Sequence, residues 1–135
     1  MKQVFDPIRK LWVAATPEEI VRQTWILRMI EQSQFPRSLL AVEKQLSSLP
    51  YLEGEVPDRR IDLLSFMKVE DDFKPLLLME CKASALTQEA LSQVIAYNHY
   101  VKAPYVAIVN LEEIMLYSKG KIWTFLPSFK ELIYG

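Results

Sequence analysis

The chain has 135 residues, 16 basic and 17 acidic, half of them hydrophobic, which is the composition of one ordinary globular domain spanning 1–135. Three glycines and no repeat or low-complexity run exclude a solenoid or a disordered tail, and a lone cysteine, Cys81, excludes an intramolecular disulfide. A net charge of −1 gives no general basic footprint, so any nucleic-acid partner must meet positive charge clustered in space or supplied by another subunit.

The N-terminal stretch Met1-Lys2-Gln3-Val4-Phe5-Asp6-Pro7 lacks an apolar signal core. The longest apolar runs, such as Leu76-Leu77-Leu78-Met79, are too short to cross a bilayer. The expectation is a cytoplasmic protein without membrane contact. No Cys/His set has zinc spacing, and no G-x-x-x-x-G-K-[ST] run indicates an ATP site.

Thr16-Pro17-Glu18-Glu19 predicts a helix start, with Thr16 as cap, Pro17 in the first turn and Glu19 closing a capping box. The helix should carry Ile20, Val21, Trp25, Leu27 and Ile30 on a broad apolar face and end before Pro36. Leu39 to Leu46 reads as a strand, and Ser47 to Asp58, with Pro50, Gly54 and Pro57, as loop. Ile61 to Met67 is a second strand, followed by a charged turn at Glu70-Asp71-Asp72. Leu76 to Cys81 is almost wholly apolar, as expected of a central strand covered on both faces. Thr87 can cap a second helix from Gln88 to about Tyr100, and Tyr105 to Val109 is another buried strand. Ile114 to Tyr117 and Ile122 to Phe125 form a hairpin turning at Lys119-Gly120, before a short closing helix at Phe129 to Ile133. This order predicts an α/β fold with helices flanking a mixed sheet.

Two polar residues interrupt the most apolar strand, Leu78-Met79-Glu80-Cys81-Lys82. Side chains alternate along a strand, so Glu80 and Lys82 share one face and Cys81 takes the other. Burying such a pair is costly unless it is paired or binds something; the plain alternative is a structural ion pair. Asp62 favours a site. Antiparallel pairing across the charged turn can set it beside Glu80, and two carboxylates make a hard-oxygen site suited to Mg²⁺ with water and phosphate. Lys82 would orient the attacking water or stabilise developing charge on phosphate.

Glu19 is a further candidate beside its capping role, ranked above Glu43, for which a solvated outer face is the simple assignment. Gln93 and Tyr97 stand one helical turn apart, either as ordinary amphipathic patterning or as a pair turned to the same site. His99 is assigned as a solvated or packed histidine, and Trp12, Trp25 and Trp123 as core or half-buried aromatics. Pro57-Asp58 spells a familiar dipeptide but falls in the loop, whereas Asp62 has the strand context.

Taken together, Pro17 to Gln23, Val42-Glu43, Arg60-Ile61-Asp62, Glu80-Cys81-Lys82-Ala83 and Gln93-x-x-x-Tyr97 resemble the N-terminal nuclease domain of type I restriction enzyme R subunits, within the PD-(D/E)XK superfamily. The similarity runs from about Thr16 to Tyr117. It implies a restriction-endonuclease-like core cutting DNA with Mg²⁺, for which Mn²⁺ would substitute. It would make Asp62 and Glu80 the metal ligands, Lys82 the catalytic lysine, Glu19 the acidic residue of the first helix, and Gln93 with Tyr97 the pair that follows the core. The family tends to show Asn-Gly after the later strand, where this chain has Asn110-Leu111. The translocase joined to this domain in the full R subunit is not in this sequence. The expected function is a Mg²⁺-dependent DNA endonuclease in a restriction or repair context. Cutting both strands needs two sites, which a homodimer or a larger complex would supply. The alternative is a non-cleaving subunit that binds DNA or such a complex while keeping the fold.

Overall fold

The computed structural model describes residues 1–49, 52 and 54–135. Two short strands, β1 (Gln3–Asp6) and β2 (Leu11–Ala14), pair antiparallel ahead of the first helix. This hairpin was not expected, because Val4-Phe5 and Leu11-Trp12 are too brief to show a period. Its apolar side chains are largely uncovered, with Trp12 63% exposed and edge-to-face on Phe5; Trp12 is therefore not the core or half-buried aromatic expected from sequence, because the hairpin leaves that face to solvent.

Helix α1 (Pro17–Glu31) begins at Thr16, whose hydroxyl accepts a hydrogen bond from the Glu19 N–H at 3.1 Å. After a 3-10 turn comes β3 (Leu40–Gln45), then a second such turn, and later β4 (Arg60–Val69). Of the loop expected from Ser47 to Asp58, residues 50, 51 and 53 lie outside the described residues. A two-residue turn with Glu70 at φ +57 joins β4 to β5 (Asp72–Cys81). Helix α2 (Gln88–Val101) crosses from β5 to the parallel strand β6 (Tyr105–Val109). Strands β7 (Ile114–Ser118) and β8 (Lys121–Trp123) follow around Lys119-Gly120, both at positive φ as a tight hairpin turn requires, and α3 (Phe129–Tyr134) closes the fold.

The six strands lie in the order β3-β4-β5-β6-β7-β8, antiparallel except for the β5–β6 pair. This is the mixed sheet flanked by helices that the sequence predicts. Both central strands are longer than their apolar runs, because β4 and β5 continue to the hairpin tip through residues exposed on both faces. Pro75 is tolerated in β5 because it sits at a register shift, and pairing to β6 starts only at Leu77.

Alternation along the central strands builds two cores. Leu77, Met79, Cys81, Ala107 and Val109 face α1 residues Val21, Trp25, Ile26 and Met29. Leu78, Val106 and Ile108 face α2 residues Leu91, Val94, Tyr97 and Val101. The α1 face differs from the sequence expectation: Leu27 is 51% exposed and Ile20 is also exposed, while Glu19, Arg22 and Gln23 are buried. A simple apolar stripe fails here because the helix turns a polar face onto the end of the sheet.

Candidate functional site

The site lies at the end of β5 that leads into α2. The β4–β5 pairing runs to Leu63 and Met79, and Asp62 and Glu80 are the next residue of each strand. Arg22 holds the Asp62 carboxylate from α1, and Arg59, stacked on Tyr97, holds that of Glu80 from the α2 side. Asp62 Oδ2 accepts the Cys81 N–H at 2.8 Å, which fixes the carboxylate against the end of the neighbouring strand. On the other side, Glu43 is the residue facing Asp62 in β3, between the pairs Val42–Leu63 and Lys44–Ile61. Its φ of +54 breaks the strand's alternation there.

Arg22 collects these acids. Its Nη2 donates to Asp62 Oδ1 at 2.8 Å and to Glu43 Oε1 at 2.6 Å, its Nη1 donates to Glu19 Oε1 at 2.8 Å, and Glu18 lies at 3.6 Å. The Arg22 side chain is 5% exposed. Burial alone would ease its deprotonation, but Asp62 and Glu19 more than offset this and keep the guanidinium charged. Glu43 is thus not on a solvated outer face. Arg22 lies within the Pro17 to Gln23 segment, and its spacings of four from Glu18 and three from Glu19 are the available sequence signal of its role.

Glu19 does not complete a capping box on Thr16. Its carboxylate turns inward to Arg9, Arg22 and Gln23, and Gln23 and Arg9 also bind the fully buried Asp6. The network clamps the β1–β2 hairpin to α1. Burial raises the pKa of Glu19, but Arg9, Gln23 and Arg22 outweigh it and hold the carboxyl below its ordinary value. Glu19 reaches the Asp62 end only through Arg22. Glu18 behaves differently: partial burial first, then the Asp62 charge, raise its pKa, with Glu43 and Glu80 adding to the effect. Its 55% exposed side chain therefore sits in the field of Asp62, Glu43 and Glu80, a neighbourhood expected for Glu19.

Glu80 is held from the α2 side. Arg59 Nη2 donates to Glu80 Oε1 at 2.7 Å, and Lys82 Nζ lies 3.8 Å from Oε2. The Arg59 guanidinium rests on the Tyr97 ring, 4.2 Å from its centroid. Tyr97 thus belongs to the site's surroundings, whereas Gln93 is exposed one turn earlier in α2. Lys82 also lines a cleft of about 530 Å³ between Pro17 and Ile20 of α1 and the β6–β7 loop. Asn110 shapes that loop: its side-chain oxygen accepts the N–H groups of Glu112 and Glu113, and its carbonyl accepts Trp25 Nε1–H. Arg59 is a second residue that sequence reasoning did not single out, because it belongs to the loop before β4 and to no periodic element.

Among the described residues no three or more His, Cys, Asp or Glu side chains converge as a metal-binding group. A cation here would rest on Asp62 and Glu80, with water and phosphate filling the shell. That donor set fits Mg²⁺, which keeps several waters and commonly takes one or two carboxylates. Asp62 and Glu80 also retain acceptor capacity, since a carboxylate offers about four lone-pair positions and each has only one or two engaged by hydrogen bonds.

A solved structure of similar fold is the fragment of a putative HsdR subunit of a type I restriction enzyme from Vibrio vulnificus YJ016. It aligns with a TM-score of 0.59 at 15% identity, covering 89% of this chain and 24% of that one. The present chain therefore spans about a quarter of that fragment. No curated protein matches it. The family described as type I restriction enzyme R protein N terminus (HSDR_N) matches residues 17–128, and the chain belongs to that family. Among the described residues no helix is long and apolar enough to cross a membrane.

Proposed function

We propose that this domain is a PD-(D/E)XK-type nuclease that hydrolyses DNA phosphodiester bonds with Mg²⁺. The single observation that carries the reading is that Asp62 and Glu80 lie next to the last paired residues of β4 and β5 at one sheet end, with Lys82 Nζ 3.8 Å from Glu80. A bound Mg²⁺ would polarise the phosphate and lower the pKa of a coordinated water. Asp62 and Glu80 would hold the cation, and Mn²⁺ would substitute for it. Lys82 would orient the attacking water and counter the charge that develops on the phosphate. Arg22 keeps Asp62 in position, Glu19 supports Arg22, and Gln93 beside Tyr97 would meet the incoming strand. Membership in the R-protein family supports action within a larger cytoplasmic restriction complex, or as a homodimer where both strands are cut. No ATP-binding role belongs to this domain.

Incubating the protein with plasmid and single-stranded DNA tests the reading. Cleavage should require Mg²⁺ or Mn²⁺, stop with EDTA, and vanish in Asp62→Asn. Cleavage that persists in that variant would refute the assignment. One observation favours a second reading, a DNA- or complex-binding subunit without cleavage: Arg22 and Arg59 already engage both carboxylates. It predicts DNA binding that is indifferent to Asp62→Asn.

A further inference from the structure

Resting on the nucleic-acid reading of this site, we infer that Arg59 is a phosphate-binding residue of the domain and that Tyr97 is the shelf that orients it. Glu80 is bracketed by two cations, Arg59 at one oxygen and Lys82 near the other, so both cations border the carboxylate that the nuclease reading gives to the metal. The Arg59 side chain remains 39% exposed although one face is covered by Tyr97 and one nitrogen is tied to Glu80. A guanidinium carries five N–H donors in a planar fork, and the bond to Glu80 uses one of them. The remaining edge is oriented without being consumed.

Stability alone is a weak reason for such an arrangement, because solvent screens a pair whose cation is this exposed and leaves it little net worth. Stacking on a buried ring restricts the side chain before any ligand arrives, and a pre-oriented fork matches the two non-bridging oxygens of a phosphodiester. The chain's overall charge also needs such a feature. With no net basic excess, the cations that meet a DNA backbone must be few and locally placed, and Arg59 with Lys82 is such a placement beside the acidic pair.

The test is equilibrium binding of a fluorescent duplex oligonucleotide to the full chain in Ca²⁺, across a salt series. Arg59→Ala should weaken binding by roughly tenfold or more and reduce the salt slope by about 0.9, the value of one duplex phosphate contact. Arg59→Lys should keep the slope while losing part of the affinity, and Tyr97→Leu should weaken binding where Tyr97→Phe does not. Lys130→Ala, on the exposed face of α3, should leave the slope unchanged. An Arg59→Ala protein with normal thermal unfolding that binds with wild-type affinity and slope would overturn the inference, as would no binding by the wild type. If Arg59→Ala loses the contact but the wild type never cleaves in Mg²⁺, the inference stands and the nuclease reading fails.

Discussion

Arg22 donates to Asp62 across a 2.8 Å bond, so the first helix, not the neighbouring strand alone, fixes the carboxylate at the centre of the site. The same guanidinium reaches Glu19 and Glu43, making α1, β3 and β4 one electrostatic unit. Removing the cation leaves buried or half-buried anions uncompensated. Arg22→Met should therefore destabilise the fold by roughly 3–5 kcal/mol, the range for breaking a buried pair from one side. Urea unfolding would measure it. Arg22→Lys should cost less, since it keeps the charge but lacks the fork; a loss below about 1 kcal/mol in Arg22→Met would remove the claim.

The two acids of the α1 first turn should separate cleanly. Glu19→Gln cuts the hairpin clamp and should lower the melting temperature, by a free energy of about 3 kcal/mol or more. Glu18→Gln should stay within about 0.5 kcal/mol of wild type, yet raise the Mg²⁺ concentration needed for half-maximal cleavage. Thermal melts and a metal titration of the activity decide the matter; the opposite pattern would restore Glu19 as the site acid.

Asp6 gives a pH signature. Burial acts to raise its pKa, but the N–H groups of Arg9 and Ile8 and the side chains of Arg9 and Gln23 lower it below the ordinary 3.8. A lowered folded value means the stabilisation is complete above 3.8 and is lost as pH falls through that lower value. Asp6→Asn should thus lose about 2 kcal/mol near neutrality, from hydrogen bonds to a charged acceptor. The gap from wild type should narrow on acidification, which unfolding curves across acidic pH would follow. A constant gap would show that the charge is not the cause.

Cys81 faces the α1 core, and burial, ahead of the Asp62 charge, pushes its thiol well above the ordinary value. Alkylation by iodoacetamide at mildly alkaline pH should be negligible in the folded protein and complete in denaturant. Fast labelling of native protein would mean that the strand end opens readily.

The mixed sheet flanked by helices and the β4–β5 hairpin were legible because they follow from local signals: Thr16 and Thr87 as caps, the run from Leu76 to Met79, and a charged turn between the two strands. Arg22, Glu18 and Arg59 were not legible as site residues. Arg22 occupies a buried position where a helical stripe predicts an apolar side chain, and only contact with β3 and β4, at sequence separations of 21 and 40, explains it. Glu18 and Glu19 are adjacent in sequence, and which one turns inward depends on Arg9 in a hairpin too short to register as strands. Arg59 is positioned by Tyr97, which lies in another element on the far side of β5 in the sequence.

Plasmid cleavage in Mn²⁺ by the wild type and by Lys82→Ala, at matched thermal stability, tests the central claim most directly. The account predicts nicking by the wild type and a loss of roughly a hundredfold or more in the variant, the scale expected when a group stabilising the transition state is removed. Equal cleavage by both proteins, or none by a folded wild type in either Mg²⁺ or Mn²⁺, would contradict it.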